Sequence, residues 1–172
     1  MKIFLKFVHL VFILICLIIQ MSFIEHLKIF YINIDLIMVA VIGIAAFDGT
    51  VYGLISGFIA GLILDLMTAR IIGINALIYS VNGFIAGKVM ESGFKKRILA
   101  YVLMIFFFSE ANLLLQTGIY YIFNYSSSFT KLGIEMLLYP VCNIAVMFLI
   151  FPLLKAGTER SGEIGFIFKD EA

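Results

Sequence analysis

The chain has 172 residues, of which 63% are hydrophobic and only 13% charged, and its formal net charge is +1. A water-soluble domain carries about a quarter of its residues as charged side chains, so the expected solvent for this chain, with a mean hydropathy of +1.14, is lipid. The near-zero net charge and the absence of any basic run longer than Lys95-Lys96-Arg97 argue against nucleic-acid binding.

The N-terminal segment combines a basic start with an apolar run over residues 7–19, as a secretory signal does. No small-x-small cleavage site follows, and Ile15 precedes Cys16 where lipoprotein processing needs a small residue. We therefore interpret the segment as a first membrane span that is retained. Cys16 and Cys142 both lie in apolar runs, and they predict neither a disulfide framework nor a metal site.

Six segments are long enough to cross the hydrocarbon core, which takes about 20 apolar residues. They run over residues 4–24, 29–47, 50–67, 71–90, 98–123 and 131–154. The second is the weakest, because Asn33 and Asp35 interrupt its start and leave about a dozen apolar residues. We expect an all-α membrane domain over residues 1–155, with short loops and a short cytoplasmic tail over residues 156–172.

The distribution of Lys and Arg between alternate loops predicts the orientation of such a bundle. With a cytoplasmic N-terminus, nine of the 12 basic residues fall on the cytoplasmic side and only Lys28, Arg70 and Lys131 fall outside. Merging the second and third spans would place Lys95-Lys96-Arg97 outside. The charges therefore favour six spans with both termini in the cytoplasm.

A strip of glycines follows the third span at intervals of four residues and ends on a carboxylate. It consists of Gly49, Gly53, Gly57 and Gly61, followed by Asp65. Residues four apart are neighbours on a helix, and glycines there let another backbone approach closely. One side of the fourth span carries small and polar residues at matching intervals: Asn75, Tyr79, Asn82, Gly83, Ala86 and Gly87. We predict a seam at which these helices pack or a partner helix docks.

Polar residues inside membrane spans are costly and tend to be paired or functional. Glu110 lies near the middle of the fifth span, where it is a candidate for a ligand pathway, for a contact with another subunit, or for a hydrogen bond that locks the bundle interior. Asp65 and Arg70 are candidates for a pair that caps the turn between spans three and four. The residues predicted to form polar contacts to a partner or ligand are Asp35, Asp65, Arg70, Asn75, Tyr79 and Glu110.

Catalysis has little support in the sequence. Asp48 and Asp65 bracket the third span, and a rise of 1.5 Å per residue separates them by roughly 25 Å, too far to share a proton as a protease dyad does. The sequence has no G-x-S-x-G, H-E-x-x-H or phosphate-binding P-loop motif. We expect no enzymatic activity, no cofactor and no metal.

The middle of the chain carries a specific series of motifs. Asn33-Ile34-Asp35-Leu36 is followed by Gly53-x3-Gly57-x3-Gly61-x3-Asp65, Gly73-Ile74-Asn75-Ala76-Leu77-Ile78-Tyr79 and Gly83-Phe84-Ile85-Ala86-Gly87. This order resembles the Pro-Asp-Leu opening, G-F-x-A-G-x-x-x-D core and G-x-N-A-L block of the rod shape-determining MreD family, with Ile34 at the proline position. The specific part covers residues 33–87, and length and six-span topology extend the resemblance over the whole chain.

The resemblance implies a non-enzymatic subunit of the bacterial cell-elongation machinery in the cytoplasmic membrane. Members of the family associate with the bitopic protein MreC and, through that complex, with MreB filaments, the RodA glycosyltransferase and its partner transpeptidase. The family is also similar in fold to the substrate-binding subunits (S-components) of energy-coupling-factor (ECF) vitamin transporters.

That similarity leaves a second hypothesis open, a small-molecule uptake subunit that holds its ligand near Glu110 and Asn75. The short loops, the absence of Trp and the closer motif match to the shape protein favour the first hypothesis. A packing subunit of some other membrane complex is the third.

The six-span topology is testable with reporter fusions. Fusions after Arg97 and after Lys155 should both report a cytoplasmic location, because nine of 12 basic residues then lie inside. A periplasmic signal at either position would contradict the topology.

Overall fold

The computed structural model describes residues 2–24, 34–68, 72–93, 98–122 and 129–158. These residues form six α-helices: α1 Lys2–Ile19, α2 Leu36–Asp48, α3 Thr50–Thr68, α4 Ile74–Glu91, α5 Ile98–Ile122 and α6 Phe129–Thr158. A π-helical turn, Gln20–Ile24, continues α1. The expectation of an all-helical chain is confirmed. Arg70, the basic run 95–97 and most of the predicted tail lie outside the described residues.

Helix α2 forms the centre of the fold. Every residue from Ile37 to Ala46 is buried, and α1, α3, α4 and α6 pack around it. The helix has 13 residues and is therefore about 20 Å long, shorter than a hydrocarbon core of about 30 Å. The predicted span 29–47 is thus helical only from Leu36 onward within the described residues. An interior position explains how so short a helix is shielded from lipid.

The outer surface of the bundle is apolar, the reverse of a water-soluble protein. On α3, Val51 is 65% exposed and Leu66 60%, while the buried side of the same helix carries glycines and Asp65. Three segments are long and apolar enough to cross a membrane: Thr50–Thr68, Ile98–Ile119 and Leu132–Pro152. Shorter apolar stretches occur at Val11–Ser22 and Leu36–Asp48. Large apolar side chains on the outside and polar ones inside indicate a membrane protein.

The glycines of α3 pack against α4 at backbone-to-backbone distance. A Cβ atom built on Gly57 would lie under 3.0 Å from backbone atoms of Tyr79 and Ser80. Gly53 lies opposite Gly83 in the same way, and Gly61 lies opposite Asn75 and Ala76. The contacts advance by one turn in opposite directions along the two helices, so α3 and α4 form an antiparallel pair in which no side chain fits between the backbones.

Gly49 has a different place from the one its spacing predicts. It lies outside α3, as the single residue that links α2 to α3, and its φ of 95° is strained for any residue with a Cβ. The first amide of α3, at Thr50, donates to Glu91 Oε1 at 2.8 Å. On α4, Gly87 packs against the backbone of Thr50 and Gly49. The strip therefore contains three seam glycines and one turn glycine.

The seam can be tested with a single methyl group. Gly57→Ala should destabilise the protein by about 1–3 kcal/mol, because the added Cβ meets backbone atoms that can yield only if the helices separate. Gly133→Ala is the matched control, since a Cβ at Gly133 on α6 meets nothing within 4 Å. Thermal unfolding in detergent measures both. Equal melting temperatures for the two variants would contradict the seam.

Candidate functional site

Asp35 is the centre of a buried polar cluster that joins three helices. Its Oδ2 accepts hydrogen bonds from the Tyr79 hydroxyl of α4 at 2.7 Å and the Tyr139 hydroxyl of α6 at 3.1 Å. Its Oδ1 accepts the Met38 amide at 2.9 Å, which caps the start of α2. Asp35 is only 3% exposed. The carboxylate therefore stabilises the end of α2 and also fixes the positions of two tyrosines.

The start of α2 is closed by a second side chain, from the turn that follows α1. Gln20 Oε1 accepts the amides of Leu36 at 2.7 Å and Ile37 at 3.3 Å. The first amides of a helix have no partner within the helix, so Asp35 and Gln20 supply partners for three of them. In lipid such groups cannot be bonded by water, and their pairing by side chains is a condition for burying this helix.

Amide side chains extend the cluster toward α5. Asn143 of α6 accepts the Asp35 amide at 2.8 Å through Oδ1 and donates to Ser109 Oγ at 2.9 Å through Nδ2. Asn82 of α4 donates to Asn112 Oδ1 at 2.8 Å. Ser109, Asn112 and Asn143 are fully buried. These bonds tie α5 to both α4 and α6, since buried polar groups are stable only when they are bonded.

A second cluster surrounds Asp65 near the end of α3. Its Oδ2 accepts the amides of Gly73 at 2.9 Å and Ala76 at 3.1 Å, and its Oδ1 accepts the side-chain and backbone nitrogens of Asn75 at 2.7 and 3.2 Å. Asn75 Oδ1 in turn accepts Gln116 Nε2 of α5 at 3.1 Å. Asp65 thus caps the start of α4, next to the helix seam. Arg70, the predicted partner of Asp65, lies outside the described residues.

The opposite end of α2 is held by a contact with α1. His9 Nδ1 lies 2.5 Å from Asp48 Oδ2, and His9 is 4% exposed. Asp48 is the last residue of α2 and precedes the Gly49 turn. Both ends of the central helix are therefore anchored by side chains from the α1 region.

Glu110 lies outside both polar clusters, although its sequence neighbours Ser109 and Asn112 form hydrogen bonds in the interior. It is partly buried, and the residues one turn before and after it, Phe106 and Leu114, are 43% and 50% exposed. Ser109 and Asn112 point inward from the same helix, whereas Glu110 lies on its outward side. The structure therefore does not bring Glu110 together with Asn75, and a ligand site near both residues stays a prediction.

Of the other predicted site residues, the structure brings Asp35 together with Tyr79, and Asp65 together with Asn75. Sequence reasoning missed Gln20, Tyr139 and Asn143. Polar residues in otherwise apolar segments were the available signal for all three. Nothing local indicates that they meet at the start of α2, since Asp35 and Tyr139, for example, are 104 residues apart.

The arrangement is suited to holding helices together. Each carboxylate of the two clusters is surrounded by hydrogen-bond donors from the chain itself. Among the described residues there is no group of three or more His, Cys, Asp or Glu side chains that could hold a metal ion. These contacts provide helix capping and helix–helix bonding in the interior of the bundle.

The Asp35 cluster can be tested by removing one hydroxyl group. Tyr79→Phe should lower the stability by about 1–2 kcal/mol, because a buried acceptor loses a donor while the ring keeps its packing. Tyr121→Phe is the matched control, since Tyr121 is 72% exposed. Both are measured by thermal unfolding of the purified protein. A Tyr79→Phe variant as stable as the control would show that the bond contributes nothing.

Comparison with known protein families identifies the family of this chain. The model of the family described as rod shape-determining protein MreD matches residues 1–156. No match was found among curated proteins or among solved structures. The similarity to ECF transporter subunits therefore stays a prediction. Because the match covers most of the 172 residues, including all six helices up to residue 156, the chain belongs to the MreD family of rod shape-determining membrane proteins.

Proposed function

We propose that the chain is a non-enzymatic, multi-pass subunit of the cell-elongation complex in the bacterial cytoplasmic membrane. In this role it binds an MreC-type bitopic protein and helps to organise peptidoglycan synthesis with MreB filaments, RodA and its transpeptidase. The observation that carries the proposal is the family match over residues 1–156. Maintenance of cell shape is the activity of that family; the individual partners are the proposed part.

This proposal keeps six membrane spans, with both termini in the cytoplasm, and the second span, over residues 29–47, contains the short interior helix α2. Helix α4 is too polar on average to stand out as a span, but its polar residues Tyr79 and Asn82 are bonded inward. Its outward side is apolar, with Leu77 66% and Val81 46% exposed. Such a helix suits lipid on one side and the bundle on the other. Helix α2 is enclosed by its neighbours at the same depth.

The contacts of the buried polar side chains also agree with a protein that binds partners and catalyses no reaction. Asp35 caps α2 and receives hydroxyl donors from other helices, and Asp65 of α3 caps α4, so their hydrogen-bonding capacity serves the fold. An enzyme or a solute carrier keeps polar groups available for a substrate. None of the contacts around Asp35 or Asp65 favours the vitamin-transporter hypothesis over a scaffold.

Depletion of the protein from cells distinguishes the cell-elongation subunit from the vitamin-transporter subunit. Cells depleted of this protein should become round and should lose the ordered location of the wall-synthesis complex, which microscopy of cell shape and of labelled RodA measures. Purification from native membranes in mild detergent should recover the MreC-type protein. Rod-shaped depleted cells that fail to take up one vitamin, together with recovery of an ATP-binding energising module, would contradict the proposal and support a transporter subunit.

A further inference from the structure

The outward side of α5 carries an acidic residue at membrane depth. Glu110 is twelve residues from each end of Ile98–Ile122, which places it about 18 Å along the helix from either end. It is surrounded on that side by apolar residues that are well exposed: Phe106 43%, Phe107 64% and Leu114 50%. In a membrane these residues face either lipid or another protein.

Glu110 makes no hydrogen bond or ion pair with any residue that the structure describes. All the other acidic residues described have a partner in the chain: Asp35, Asp48, Asp65, Glu91 and Glu135. An acidic side chain at this depth is costly in lipid and is usually paired or turned toward a protein interior. Its outward position therefore needs an explanation that the described part of the fold does not supply.

The same side of the helix admits a close neighbour. Ala111 follows Glu110, and Gly118 lies two turns further along, with nothing within 4 Å of where its Cβ would be. Unlike the seam glycines of α3, Gly118 is not required by packing within the described residues. Small residues on an outward face allow the backbone of a second helix to approach, and here they accompany the acidic group.

We infer that the outward side of α5 around Glu110 docks a single transmembrane helix of a different protein that carries a hydrogen-bond-donating, preferably basic, side chain at the same depth. Charge complementarity selects this occupant. A second copy of the chain, related by an axis along the membrane normal, would offer only another Glu110, which donates only when it is protonated, and lipid tails offer no donor. The inference rests on the proposed binding of a bitopic partner and assigns that partner to α5, away from the α3–α4 seam that is already filled.

The test is photocrosslinking in native membranes of cells that carry an affinity-tagged MreC-type protein. The photoreactive residue benzoylphenylalanine replaces Leu114 in the full chain; the matched control position is Phe58 on α3, 49% exposed against 50% for Leu114. Position 114 should form an adduct with the transmembrane segment of the tagged protein, and position 58 should not. Glu110→Leu should lower the adduct yield by about three- to tenfold, the effect of one hydrogen bond in a membrane, and Glu110→Gln by less.

Several results would overturn the inference: equal adducts at both positions, adducts only with a second copy of the chain or with lipid, or an unchanged yield in Glu110→Leu. The comparison of positions 114 and 58 is made with the native Glu110 in place. It therefore tests the docking surface even if a Glu110 variant does not accumulate in cells. If the tagged protein co-purifies but forms no adduct at position 114, the surface is wrong and the proposed function stands. If it does not co-purify at all, both fail.

Discussion

The backbone amides at the start of α2 are the constraint on which the rest of the structure depends. This helix is buried on all sides, so the N–H groups that begin it need partners from the protein itself. Asp35 and Gln20 bond the amides of Leu36, Ile37 and Met38. A carboxylate placed there must in turn be bonded, and the hydroxyls of Tyr79 and Tyr139 come from two other helices to do so.

The position of Tyr79 depends on the glycine seam. The backbone of Tyr79 lies directly against Gly57, so any side chain at position 57 would move α4 and with it the hydroxyl that reaches Asp35. Asp65 fixes the same pair of helices at the start of α4. Close backbone packing and polar capping thus act together, and the interior that results leaves interaction with other proteins to the outward faces of the bundle.

Much of this could be predicted from the sequence because the signals are local. Hydropathy indicates the helices, the four-residue spacing of Gly53, Gly57 and Gly61 indicates a close helix contact, and the aspartate that follows indicates a cap. Two features could not be predicted. The bond between Asp35 and Tyr139 joins residues 104 apart, and both sides of α5 are apolar, so its sequence does not distinguish the inward Asn112 from the outward Glu110. Gly49 fits the four-residue spacing but lies in the turn between α2 and α3. The spacing alone could not indicate its backbone φ of 95°.

The most direct measurement is a double-mutant cycle between Asp35 and Tyr139, with Asp35→Ala, Tyr139→Phe and the double variant unfolded under the same conditions. If the carboxylate joins α2 to α6, the two changes should be non-additive, with a coupling energy of about 0.6–1.7 kcal/mol. The same cycle between Asp35 and the exposed Tyr121 should give none. Additive effects for Asp35 and Tyr139 would contradict the claim that this bond holds the central helix in place.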